Sequence, residues 1–128
     1  MLVALPTLHS EHGLPDEPVI STITLAELSV GPLVAKTEGE RVERQRVLQQ
    51  AESDFDALTF DAAAARAFGG VSAGLRAVGR KPEARAYDAL IAAVALANDL
   101  PVHTCNPDDF AHINGLRVVP VPLPEIPT

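Results

Sequence analysis

Three short stretches of this chain place carboxylates where a helix begins. "TLAE" carries Glu27 three residues after Thr24, "RAYDALIAAVALAND" carries Asp88 at the head of an otherwise apolar run, and "TCNPDDF" carries Asp108 and Asp109 behind Asn106. Each has a bland explanation. Thr24 and Glu27 match the capping box, in which the acid reaches back to the backbone N–H of the cap residue. Asp88 suits an N-cap or a first turn, where free N–H groups and the helix dipole favour an anion. Asn106 as cap, with Pro107 at N1 and Asp109 at N3, is equally good capping chemistry. The chemical reading rests on joint placement. Glu27 and the Asn106–Asp109 group directly follow strand-like sequence, and ligand sites of open α/β sheets lie beyond the carboxyl ends of strands. Carboxylates gathered there, without cysteines or paired histidines, are hard oxygen ligands of the kind Mg²⁺ or Mn²⁺ takes. An acid at the rim of a buried helix also needs something positive opposite it. For Asp88 the two candidates are Arg85, one turn earlier, and a divalent cation.

The elements that must position these acids follow from the hydrophobic pattern. "PVISTIT" (18–24) reads as a short strand running into "TLAELSVG", a helical stretch that Gly31-Pro32 should interrupt or kink. Residues 38–54 continue as a charged, solvent-facing helix, and "FDALTF" (55–60) is a short strand candidate. Residues 61–79 place Ala64, Phe68, Val71, Leu75 and Val78 on one helical stripe. The helix at 88–98 has to be buried on nearly every face. It is followed by a strand at "LPVHT" (100–104), a short helix at "NPDDFAHI" and a last strand, "LRVVPVPL", frayed by prolines. Strands alternating with helices predict one α/β domain over residues 1–128, a parallel sheet flanked by helices, with a loose tail at 121–128.

Composition narrows the chemistry further. Apolar residues make up 47% of the 128 and Trp is absent, so the core must be built from Ala, Leu and Val. A net charge of −7 argues against gripping nucleic acid by bulk attraction, since that relies on Lys and Arg, but it suits a site of carboxylates that reaches phosphate through a metal. The one cysteine, Cys105, allows no intrachain disulfide and fits a reducing cytoplasm. "MLVALPTL" has no basic leader and is broken by Pro6, so it is read as neither a signal peptide nor a span. No glycine-rich phosphate loop and no G-x-S-x-G elbow occurs. The four histidines, His9, His12, His103 and His112, fit no ligand spacing and are read as surface or packing residues.

Taken in order, "TITLAEL", the run from Arg85 to Ala93, Thr104 to Phe110 and "GLRVVPV" resemble a PIN-domain ribonuclease, most closely the VapC-like toxin of bacterial type II toxin–antitoxin pairs. The likeness covers roughly residues 19–120. It implies a three-layer α/β sandwich whose acids bind Mg²⁺, or Mn²⁺, and hydrolyse RNA. Glu27 matches the acid of the "AEL" helix and Asp88 the principal metal-binding Asp. In the last motif Asn106, after Thr104, stands where the family often has Asp, so Asp109 serves instead or the site has one charge fewer. The catalytic and metal set implied is thus Glu27, Asp88 and Asp109, with Arg76, Arg80, Lys81 and Arg85 as a basic cluster to steer the RNA. An antitoxin partner, a hydrophobic groove between the early helices and a homodimer are likewise implied by the resemblance.

The resemblance also implies an opening strand ending in Asp, roughly "L-L-D-T-S/N-V-L", which this chain does not show. "MLVALPTL" resembles the first turns of the helix that follows that strand, so residues 1–18 are read as the remnant of a first helix and its loop. The first central strand and its acid are expected to be missing, and Glu11, Asp16 and Glu17 are not expected to replace that acid. Two consequences are open: an active nuclease whose natural start lies upstream, or a catalytically inactive remnant that only binds its partner. Outside the family, a small non-catalytic α/β binding module is the alternative.

Overall fold

The structure is a computed structural model that describes residues 7–8, 19–81 and 85–121. In chain order it has β1 (Thr7–Leu8), β2 (Ile20–Ser21), α1 (Thr22–Leu33), α2 (Glu38–Asp54), β3 (Ala57–Leu58) and α3 (Ala62–Ala77). There follow α4 (Ala86–Ala97), β4 (Val102–Thr104), a 3₁₀ turn (Pro107–Phe110) and β5 (Val118–Pro120). β2 pairs with β3 in parallel, and β4 pairs with β5 in parallel with Val102 opposite Val118. The expected alternation of parallel strands and helices is therefore present, as two hydrogen-bonded groups, β2-β3 and β1-β4-β5.

At the centre lies α4. Ala89, Ile91, Ala92, Ala93, Val94 and Ala95 are all buried, as a helix with almost no polar face requires. Its alanines let α3 approach closely with Ala64, Val71 and Leu75, while Val102 and Phe110 close the other side. Each of Ile91, Val94 and Phe110 gains about 1.5–3 kcal/mol from leaving water. This packing fixes the backbone from which Asp88 projects. No helix among the described residues is long and apolar enough to cross a membrane.

Four expectations are corrected. The strand read at 18–24 is only Ile20–Ser21, because Ser21 caps α1 by accepting a hydrogen bond from the Thr24 N–H at 3.2 Å. Gly31-Pro32 does not interrupt α1, which runs through to Leu33; the proline falls in its last turn, where little helix remains to be broken. Val78 leaves the apolar stripe and is 54% exposed, because α3 ends at Ala77. Thr7–Leu8, read as part of a helix remnant, is a strand instead. It pairs antiparallel with β4 at the end of the β1-β4-β5 group and also lies against β2. Glu11, Asp16, Glu17, His9, His12 and the tail from 122 onward lie outside the described residues.

Candidate functional site

Because α1 starts at Thr22 with Ser21 as its cap, Glu27 stands nearly a turn beyond the reach of a capping box. The capping explanation for Glu27 therefore fails. Its carboxyl is pushed above the ordinary glutamate range, first by partial desolvation and then by the negative charge of Asp88.

Asp88 lies in the first turn of α4, three residues after the cap Arg85. The dipole favours an acid there, but the carboxylate accepts no hydrogen bond from the first turn among the described residues and faces Arg85 instead. Arg85 Nη1 lies 3.9 Å from Asp88 Oδ2 and 2.7 Å from Asp109 Oδ1. One guanidinium thus bridges two carboxylates that are 22% and 25% exposed, while Arg85 itself is 60% exposed. Desolvation pushes the Asp88 carboxyl upward, the charge of Asp109 adds to this, and Arg85 offsets it only in part. The sequence named Arg85 as a partner for Asp88. It gave no sign that Asp109 would be the closer one, because that contact joins the start of α4 to the turn after β4.

The turn holding Asp109 has its own local logic. The buried Thr104 hydroxyl accepts from the Asn106 N–H at 3.0 Å, and the Asp109 N–H donates to the Asn106 carbonyl at 3.0 Å. Asn106 is exposed. Its carboxamide donates to Cys105 Sγ at 3.4 Å and does not cap the 3₁₀ turn. Asp109, whose carboxylate is turned to Arg85, is the acid this motif contributes to the pair.

Beside the acids is a cleft of about 170 Å³ lined by Arg80, Lys81, Arg85 and Asp109, with Leu75 and Ile113 among its apolar walls. Gly79, at φ 78°, makes the cleft possible. α3 closes on it with the Arg80 N–H bonded to Leu75 O at 2.9 Å and the Gly79 N–H to Arg76 O at 3.0 Å, a Schellman turn that throws Arg80 and Lys81 toward α4. Three of the four predicted basic residues are thereby brought together. Arg76, in the last turn of α3, does not line this cleft. His103 is half-buried and His112 exposed, and neither forms a metal-holding group among the described residues.

Glu27 also lines a groove of about 600 Å³ between α1 and α2, whose walls combine Leu28, Gly31 and Val47 with the charged Glu40, Glu43 and Arg44. Gly31, read from sequence as a helix breaker, is where the Arg44 side chain crosses. A Cβ there would come within 3.3 Å of Arg44 Cδ, and Arg44 Nη1 donates to Gly31 O at 3.0 Å. Along the end of α1, Val30, Leu33 and Val34 are 46%, 85% and 61% exposed.

The donor chemistry fits a hard divalent cation: Asp88 and Asp109 offer two carboxylates to one centre of positive charge, and Glu27 is near enough for Asp88 to perturb it. Among the described residues, no three acids or other ligating side chains close on a common point as they stand. Arg85 takes the position of positive charge between the two aspartates.

The PIN domain family matches this chain over residues 3–116. Ribonuclease VapC5 of Mycobacterium tuberculosis is 38% identical over 108 residues, which are 84% of this chain and 77% of that protein. The crystal structure of VapBC-5, a toxin–antitoxin system of the same organism, superposes with a TM-score of 0.72 at 37% identity, covering 80% of this chain and 81% of the other. VapBC2 from Rickettsia felis, solved bound to a DNA fragment from its promoter, superposes with a TM-score of 0.70 at 27% identity, covering 80% and 74%.

Proposed function

The chain belongs to the PIN-domain family, in its VapC-like toxin branch, and from that premise we propose that it is a metal-dependent endoribonuclease held in check by an antitoxin. One observation carries the catalytic part: Asp88 and Asp109, from two different elements, meet around a single positive charge at the mouth of the buried helix α4. Asp88, Asp109 and Glu27 are the residues that would hold Mg²⁺ or Mn²⁺. A divalent cation there supplies Lewis-acid stabilisation of the scissile phosphate and a lowered pKa for the attacking water.

The chain's own groups do the rest. Asp88 is held in place by the buried helix behind it and Asp109 by the Thr104–Asn106 turn, so neither has to be reorganised when substrate arrives. Glu27, close enough to Asp88 for their charges to interact, adds a third carboxylate beside the pair. Arg80, Lys81 and Arg85 give an otherwise acidic protein one local landing place for an RNA backbone, with Arg76 adding charge at the end of α3.

The partner reading rests on the groove between α1 and α2 and the exposed Val30, Leu33 and Val34 beside it. An antitoxin segment with an apolar face would bury that surface. The same reading makes the toxin a cytoplasmic homodimer, which sedimentation of the purified chain checks.

A second reading, a non-catalytic remnant that only binds its partner, is favoured by one observation: no three ligating side chains converge among the described residues. Incubation of the antitoxin-free protein with RNA separates the two. Cleavage that EDTA stops, that Mg²⁺ or Mn²⁺ restores and that Asp88→Asn lacks supports the nuclease. No cleavage of any RNA under these conditions, with antitoxin binding intact, supports the remnant.

A further inference from the structure

Arg85 sits at the junction of two environments that want opposite things from it. On one side it is the cation bridging Asp109, at 2.7 Å, and Asp88, at 3.9 Å. On the other it lines the small cleft with Arg80 and Lys81, two cations that make no ion pair among the described residues. Its side chain is 60% exposed and carries the planar fork that pairs equally well with a carboxylate or a phosphate. A divalent cation and a guanidinium drawn to the same two carboxylates repel one another, so each weakens the other's hold. Three cations against the one carboxylate of Asp109 leave this cleft of about 170 Å³ with an excess of positive charge that a further anion would offset.

We propose that Arg85 is an exchangeable counterion. In the metal-free protein it neutralises Asp88 and Asp109 and competes with the divalent cation for them. Once displaced, it turns into the cleft and, with Arg80 and Lys81, grips a phosphate of the RNA backbone next to the one being cut. The proposal rests on the metal-dependent reading above and adds to it a residue that opposes metal binding while favouring substrate binding. Metal and RNA then assist one another, because each releases what the other needs. The basic lining of the cleft suits a backbone phosphate, so the subsite positions the strand without reading its sequence.

The opposing signs make the test specific. Calorimetric titration with Mn²⁺ alone, without RNA, compares the wild type with Arg85→Ala, Arg85→Gln, Arg80→Ala and Asp88→Asn. Arg85→Ala and Arg85→Gln should bind Mn²⁺ about two- to fivefold more tightly, the size expected for removing a solvent-open ion pair. Arg80→Ala makes the same change in net charge without touching the acids, and should have a smaller effect. In Ca²⁺, which is used here to limit turnover, both Arg85 variants should bind a short RNA oligonucleotide more weakly than the wild type. A residue that merely supports the local structure would weaken both affinities. The proposal is overturned if the Arg85 variants bind Mn²⁺ no tighter than the wild type, or if Arg80→Ala tightens it equally, while Asp88→Asn still abolishes binding; metal-dependent catalysis would then stand without it. If the wild type binds no Mn²⁺ and Asp88→Asn changes nothing, the metal reading itself has failed and the counterion role falls with it.

Discussion

Helix α2 and the site at the head of α4 both join carboxylates to guanidinium groups, yet their acids respond in opposite directions. On α2 each acid has its own cation one turn away: Glu38 with Arg41, Glu40 with Arg44 at 3.7 Å, and Glu43 with Arg46 at 2.5 Å. These pairs are open to water, and the hydrogen bonds from Arg41 and Arg46 hold Glu38 and Glu43 below the ordinary glutamate range. At the site, Asp88 and Asp109 share Arg85, while Glu27 has no cation of its own among the described residues. Desolvation then wins, and Asp88 and Glu27 are pushed upward. A full complement of partners marks a solubilising face. A deficit of positive charge around the half-buried Asp88 and Asp109 marks a place built to receive a cation.

Removing an acid should therefore have very different consequences in the two regions. The largest expected effect is on catalysis: Asp88→Asn should lower single-turnover RNA cleavage on the order of 100-fold or more. Its metal-free melting temperature should hold or rise, since a desolvated, like-charged carboxylate has been removed. Survival of cleavage in that variant would break the comparison outright. Glu27→Gln should cost less, about tenfold to 100-fold, because the paired aspartates remain to hold the cation.

The pH dependence has a definite sign. Asp88 and Glu27 titrate above their ordinary values of 3.8 and 4.5, so across that window the folded metal-free protein binds protons that the unfolded chain has released. Their contribution to stability is then present at the acid end and lost as pH rises through the raised values. Glu38 and Glu43 contribute oppositely, and their stabilisation is lost as pH falls through their lowered values. Metal binding requires deprotonated ligands, so Mn²⁺ affinity should weaken as pH is taken from about 7 to about 5. Melting curves across this range, with and without Asp88→Asn, separate the two contributions. The smallest effect belongs to α2: Arg41→Ala should leave both the melting temperature and the cleavage rate unchanged within error.

What could be read from sequence was what local pattern decides. The bounds of α2, the burial of α4, the three strands that follow a helix and the Arg85–Asp88 contact each depend on residues within a turn or two of one another. The errors arose where two local solutions compete or where the deciding contact is distant. Ser21 and Thr24 both make good caps, and in the fold both are buried with the Thr24 N–H donating to Ser21 Oγ, so the helix starts at the first. That choice removes Glu27 from the capping box. The closeness of Asp109 to Arg85 depends on the return of the chain through β4 and the turn after it, which no spacing in the sequence encodes. Gly31 looked like punctuation because Arg44, the residue that needs the space, comes from the next helix.

The central claim is that one set of acids awaits a metal and the other does not. Mn²⁺ titration of the isotopically labelled protein tests it directly, because the ion broadens the amide signals of whatever residues hold it. The account predicts that signals at Asp88 and Asp109 disappear at the lowest Mn²⁺ concentrations and that those at Glu38, Glu40 and Glu43 broaden only later. Broadening that begins on α2, or that spares the head of α4 altogether, would contradict it.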